Sequence, residues 1–207
     1  LLLRANHPSK GFELARSTQI IERLFPEIAP LDDTSVDAAL DRLAQGPRQK
    51  LGHGPAWALM LGTWLHQAAP DALNATLDRL WLHKWSGYRL RERTLQLVTH
   101  WRDPIQTDAD LRHLSTHCEL EISLLARWAL QGSEHTLQQL ARARDLKIAK
   151  DKPTPFLLGR HLKSLGVSPG PSMGLILKAV YTLQLDGHVI DLPSARIAAQ
   201  DWLLANP

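Results

Sequence analysis

The residues best suited to meet a phosphate backbone fall in one stretch. Between Arg142 and Lys163 stand seven lysines and arginines (Arg142, Arg144, Lys147, Lys150, Lys152, Arg160, Lys163) against two acids, Asp145 and Asp151. That local excess of five exceeds the net charge of +3 for the whole 207-residue chain, so the remainder is slightly acidic. The run continues into Gly159-Arg-His-Leu-Lys-Ser-Leu-Gly-Val-Ser-Pro-Gly-Pro-Ser-Met-Gly174. These residues read as a short helix, a glycine-closed turn and a second helix. Gly166 stands where a helix C-terminal glycine belongs. Ser168 and Pro169 stand where an N-cap and a first helical residue belong. A helix N-terminus ringed by Arg160, His161, Lys163 and Lys178 attracts anions, and an RNA phosphate is the anion it suits. The candidate RNA-binding residues are therefore Arg160, His161, Lys163, Ser168, Gly170 and Lys178, with Lys147, Lys150 and Lys152 on the approach. The competing reading of the same turn is close helix packing at Gly170 and Gly174, with the cations as a solvated rim.

Other chemistry-bearing residues are less organised. His113 and His117 are four apart and could share a helix face as metal ligands, but no third ligand accompanies them at a known spacing. His53, in Gly52-His-Gly54, fits a helix-entry loop. Cys118, the single cysteine, excludes an internal disulfide and fits a reducing cytoplasm. It has no partner that would make it a nucleophile, so an inert core thiol is expected. Four of the seven tryptophans, Trp57, Trp64, Trp81 and Trp101, fall on apolar stripes and are expected in the core. Trp85 lies among Lys84, Tyr88, Arg89, Arg91 and Arg93. It suits either stacking on a base or sugar or covering the next helix. Arg89, Arg91 and Arg93 alternate, so a helix would splay them around its axis.

Helices must position these groups, because the apolar period is helical almost throughout. Leu14, Ile20, Ile21, Leu24 and Phe25 form a face ending at Pro26. Val36, Leu40 and Leu43 continue to Gly46-Pro47. Trp57, Met60, Leu61, Trp64 and Leu65 form a stripe closed by Pro70. Leu73, Leu77, Leu80 and Trp81 follow, then Leu90, Leu95, Val98 and Trp101 up to Asp103-Pro104. Thr107 with Asp110 predicts a capping box opening a helix through Leu111 and Leu114. Ile122, Leu125, Trp128 and Ala129 run to Gly132. Ser133 then opens a helix with Leu137, Leu140 and Ala141 inward. No strand signal stands out, so the predicted class is all-α. With 44% apolar residues the chain can bury a core. The polar, proline-bearing segment from Lys147 to Pro155 divides a helical body, residues 1–150, from a smaller helical tail, 151–207. No apolar run reaches membrane-spanning length.

Three stretches resemble the bacterial tRNA nucleotidyltransferase/poly(A) polymerase family, the CCA-adding enzymes and their relatives. They are Asn6-His-Pro-Ser-Lys-Gly-Phe-Glu-Leu-Ala-Arg16 with Ile20-Ile-Glu-Arg-Leu-Phe-Pro-Glu-Ile28; Leu77-Asp-Arg-Leu-Trp-Leu82 through Arg89-Leu-Arg-Glu-Arg93 to Leu97-Val-Thr-His100; and Gly159 to Gln184-Leu-Asp-Gly187. The resemblance covers nearly the whole chain. It implies an all-helical body and tail that hold tRNA, or another structured RNA, while a separate head adds nucleotides to the 3′ end. It also implies that the chain, opening Leu-Leu-Leu-Arg without a Met, begins just after the neck of a longer protein. The magnesium-binding carboxylates and Gly-Gly…Arg-Asp turn of the head are expected upstream, so no cofactor is expected here and no catalysis by this region alone. Where relatives commonly carry acids, this tail has His161 and His188.

Many relatives also embed a His-Asp metal phosphohydrolase core in the body. The matching place is Ala58-Leu-Met-Leu-Gly-Thr-Trp-Leu-His-Gln67, where Gln67 replaces the aspartate and Val36-Asp-Ala-Ala-Leu40 offers no upstream histidine. A neutral amide is a poor ligand for a hard divalent cation, so no metal site is expected. Two other readings remain from the sequence: a phosphohydrolase-related domain, and a non-catalytic helical scaffold for a protein partner.

Overall fold

A computed structural model describes residues 2–26, 28 and 34–206. Leu1, and Glu27 of the Phe25-Pro-Glu stretch, lie outside the described residues. Among the described residues twelve α-helices and short 3-10 turns account for the secondary structure, and no strand occurs. The only paired extended backbone described is a single bridge between Trp85 and Tyr88. No described helix is long and apolar enough to cross a membrane. The chain divides into two compact units, Leu1–Asp103 with His117–Lys150, and Pro104–Thr116 with Asp151–Pro207.

The first unit holds α1 (Pro8–Ser17), α2 (Ile20–Leu24), α3 (Ser35–Ala44), α4 (His53–Trp64), α5 (Pro70–Arg79), α6 (Leu90–His100), α8 (Leu120–Gln131) and α9 (Glu134–Asp145). Helix α4 lies at its centre, against α3, α6 and α8. Its residues Ala58 through Thr63 are all buried, the pattern of a helix apolar on every side. Gly62 makes the α4–α6 approach possible, since a Cβ there would meet the Leu97 side chain at 2.9 Å. Helix α8 is likewise buried from Leu120 to Arg127.

Three expected faces differ in the structure. The face drawn through Leu14, Ile20 and Leu24 is not a core face. The chain breaks at Gln19, which takes a left-handed φ of 55°, so α1 and α2 are separate helices. Phe12, Ala15 and Ile21 point inward, and Leu14, Ile20 and Leu24 are exposed. The stripe Leu73-Leu77-Leu80-Trp81 is cut at Arg79, where α5 ends. Trp81 is therefore outside the core and 82% exposed. In α9 the inward residues are Leu140 and Ala143, while Ala141 is exposed.

The second unit holds α7 (Asp108–Ser115), α10 (Gly159–Lys163), α11 (Pro171–Leu185) and α12 (Leu192–Ala205). Its core is Leu157, Leu162, Ile176, Val180, Val189, Ala195 and Ala199. The larger of these side chains each contribute roughly 1.5–3 kcal/mol on burial. Polar side chains fasten the polar entry segment to α11. The Gln184 Oε1 accepts from Phe156 N–H at 2.9 Å, its Nε2 donates to Thr154 O at 2.9 Å, and Tyr181 donates to Pro153 O at 2.8 Å.

Helix α7 opens on the capping box legible in the sequence. Asp110 N–H donates to Thr107 Oγ1 at 3.2 Å, and the Asp110 carboxylate accepts from Gln106 N–H at 2.9 Å and Thr107 N–H at 2.8 Å. The Gln106 and Thr107 amides, with the Thr107 hydroxyl, hold the Asp110 carboxyl below its usual range. A carboxyl lowered in the folded state adds stability above its unfolded value, about pH 4. That stability is lost as pH falls through the lower folded value. Thr107→Ala should therefore cost about 1 kcal/mol at pH 7, and Asp110→Asn should flatten part of the acid limb of a melting-temperature profile. Unchanged melting of Thr107→Ala would refute the capping role.

Candidate nucleic-acid interface

The tail turn forms from local rules. Helix α10 is a single turn whose buried contact is Leu162. It closes where Gly166 adopts a left-handed φ of 83°, with Gly166 N–H on Lys163 O and Val167 N–H returning to Leu162 O at 3.1 Å each. A left-handed glycine stops the helix and reverses the chain. The next helix starts later than expected. Its N-cap is Gly170 and its first residue Pro171, so Ser168 and Pro169 belong to the turn. Two Xaa-Pro pairs, Ser168-Pro169 and Gly170-Pro171, offer the same local signal, and the second begins the helix. Pro171 carries no N–H, and Met173 N–H is committed to Gly170 O at 3.1 Å, which narrows the anion-accepting end to neighbouring amides. Close approach occurs at Gly159, where a Cβ would meet Met173 Sδ at 3.4 Å. At Gly170 and Gly174 nothing lies within 4 Å of such an atom, so neither serves the close packing weighed for them.

Arg160 and Lys163 are exposed, as are Lys152, Ser168, Gly170 and Lys178. No described carboxylate pairs with any of these four cations. Lys178 lies seven residues beyond Pro171, about 10 Å along the helix axis at 1.5 Å per residue. It therefore extends the charge along α11 rather than ringing its first turn. His161 is half-buried and serves the turn itself. Its Nδ1 lies 3.2 Å from Leu158 N–H, and its Nε2 lies 3.2 Å from Arg160 Nε–H. A neutral imidazole accepts at one nitrogen at a time. Lys147 and Lys150 belong to the first unit. Lys150 is 3.8 Å from the buried Glu121 carboxylate, which also takes Arg144 at 2.7 Å. The cationic run is thus split, with part of its charge already matched.

The end of the resembling stretch has structural occupations. Leu185 O accepts from Arg112 at 3.4 Å, and Asp186 pairs with His113 Nε2 at 2.7 Å. Gly187 takes a left-handed φ of 87°. These contacts fix α7 to the C-terminal end of α11, where a cation is favoured by the helix dipole. They connect residues 73 apart, and nothing in local spacing signals them.

The remaining candidates separate. His113 lies in α7, while His117 follows that helix and belongs to the other unit beside His100, ring centres 5.3 Å apart. The two therefore do not share a helix face. His66 is buried and bound within the protein. Its Nδ1 faces Thr63 O at 2.9 Å and its Nε2 the Gln67 amide at 3.2 Å. Among the described residues no group of three His, Cys, Asp or Glu side chains is disposed to hold a metal. The sequence's one Asp-x-Asp, Asp108-Ala-Asp110, opens α7, with Asp110 spent on its cap and Asp108 3.9 Å from Arg112. Cys118 is buried, and burial pushes its thiol up to about 11, away from nucleophilic use. The splayed arginines go to different acids: Arg89 to Glu92, Arg91 to Asp78, and Arg93 to Glu119.

No protein-family model, no curated protein and no solved structure matches this chain. The class that the fold and its surface define is an all-α protein with a cationic, glycine-turned helix pair on its smaller unit.

Proposed function

We propose that this class of surface serves to hold structured RNA by its phosphates. More particularly, we infer the body and tail of a tRNA nucleotidyltransferase/poly(A) polymerase-like protein, working in the cytoplasm with tRNA as its partner. Nucleotide addition in such a protein belongs to a magnesium-dependent head. The observation that carries the reading is the pair Arg160 and Lys163. Both are exposed, without a carboxylate partner, and lie on the single-turn helix that the left-handed Gly166 closes. The three resembling stretches, in that order, support tRNA or another structured RNA as the partner.

Phosphate contacts act through charge and position rather than base identity. The test is a titration of the chain against tRNA at several salt concentrations. Arg160→Ala/Lys163→Ala should weaken binding roughly equally across tRNA sequences. It should also lower the salt slope by about one unit per lost phosphate contact. Unchanged affinity and slope in the double variant would overturn the reading.

A further inference from the structure

Trp81 presents a large apolar ring to solvent from a costly backbone. It is 82% exposed, and its φ is 52°. A left-handed conformation strains a non-glycine residue, and glycine would relieve it. An exposed ring gives back little through burial, so folding alone does not account for tryptophan here.

The surrounding segment is firmly built. Trp85 N–H donates to Tyr88 O, and Tyr88 N–H donates to Trp85 O, both at 2.9 Å. Arg91 N–H donates to His83 O at 3.2 Å, and the Tyr88 hydroxyl donates to the buried Glu119 carboxylate at 2.7 Å. Trp85, itself 41% exposed, leans on Trp57 with ring centres 6.1 Å apart. The Trp81 ring stands edge-on to His83 at 6.2 Å. His83 in turn lines a recess of about 540 Å³ with Lys84, Arg89, Arg91, Glu92, Leu95 and Gln96. Lys84 is exposed and has no described carboxylate partner. Arg89 meets Glu92 at 3.2 Å with side chains 67% and 45% exposed, a weak pair that a phosphate can replace. Arg91 is held by Asp78 and Asn74.

We propose that the Trp81–Arg91 segment is a stacking site for unpaired nucleotides of an RNA strand, with the Trp81 ring as the base platform and Lys84 and Arg89 as phosphate contacts. Every base has a π-face, and a base stacked on an aromatic side chain is held without sequence preference. Cations beside the ring meet the backbone that carries the bases. Of the charged groups around this recess three are cations, Lys84, Arg89 and Arg91, against the one acid Glu92, a balance that suits a phosphate backbone; a protein-docking tryptophan instead sits in a desolvated pocket at the centre of an interface. The site lies wholly in the first unit. It rests on the RNA-holding reading only for the identity of the strand.

The probe is a fluorescein-labelled single-stranded oligouridylate, titrated against the full chain by anisotropy, with an RNA duplex of equal length and tRNA as parallel probes. Trp81→Ala should weaken oligouridylate binding about 10-fold, the loss of one stacked base, and leave duplex binding unchanged. Trp81→Phe keeps a ring and should restore most of the loss. Lys84→Ala should weaken the oligouridylate and reduce its salt slope. Because the Trp81 side chain is exposed, all variants should melt with wild type, which separates a binding loss from unfolding. Arg160→Ala/Lys163→Ala should lose tRNA affinity and keep oligouridylate affinity. If Trp81→Ala and Lys84→Ala both bind oligouridylate like wild type, or if wild type binds none, the stacking site is overturned and the exposed ring is left for a protein partner. In either case the tail variant's tRNA result reports separately on the RNA-holding reading.

Discussion

Gly54→Val should lower the stability of the first unit by about 3–5 kcal/mol. Gly54 is buried at the start of α4, and a Cβ there would lie 2.6 Å from Tyr88 Cβ and Cγ. Those atoms are the root of the side chain, so no rotation about χ2 removes them. The ring is also fixed at its other end, where its hydroxyl donates to Glu119 at 2.7 Å. Burial raises the Glu119 carboxyl, and Tyr88 and Arg93 oppose that rise. Overpacking costs typically 1–3 kcal/mol, and losing a hydrogen bond to a buried charged group adds about 1.5–3. Urea unfolding measures the sum. The double variant Gly54→Val/Tyr88→Ala should be less destabilised than the two single effects added, because the second change empties the space that the first invades. A Gly54→Val midpoint equal to wild type would show that the α4 entry yields freely.

Arg127→Met is the second large effect, at about 2–4 kcal/mol. Arg127 is a buried residue of α8, 8% exposed, whose Nε donates to Trp101 O and whose terminal nitrogen donates to Asp103 O at 2.7 Å. Burial lowers its guanidinium pKa, yet an arginine stays charged at accessible pH. Methionine fills much of the volume but donates nothing, so two carbonyls after α6 lose their partner. Leaving buried acceptors unmatched costs more than an average hydrogen bond contributes. Arg127→Lys should fall between the two, since one ammonium on an unbranched stem reproduces the two-carbonyl fork poorly. Thermal unfolding of the three proteins gives the order, and equal melting of Arg127→Met and wild type would remove the carbonyls from the account.

The all-α class was readable because the apolar period, the prolines and the glycines agree along most of the chain. The Thr107–Asp110 box was readable for the same reason, since its partners are three residues apart. Signals failed where they were duplicated or non-local. Ser168-Pro169 and Gly170-Pro171 compete as helix starts, and local chemistry does not rank them. Trp81 continues the period of α5 on paper, but the helix stops two residues earlier, so an apparent core residue becomes a surface ring. The candidate cations were visible as charges. Their division between Glu121, solvent and the tail was not, because Glu121 lies 23 residues from Arg144.

The second unit is not contiguous in the chain, because His117–Lys150 of the first unit separates Pro104–Thr116 from the rest. This sets an order on synthesis. Asp186, the partner of His113, is made 73 residues after it. At about 5–20 residues per second that is a delay of roughly 4–15 s. During it α7 waits with Arg112 and His113 lacking Leu185 O and the Asp186 carboxylate, their partners at the end of α11. The first unit has all its sequence once Lys150 has emerged, so it can close while the second is still unfinished. A nascent chain stalled within this interval would carry a folded body and an unsatisfied helix, which is the form a chaperone would meet.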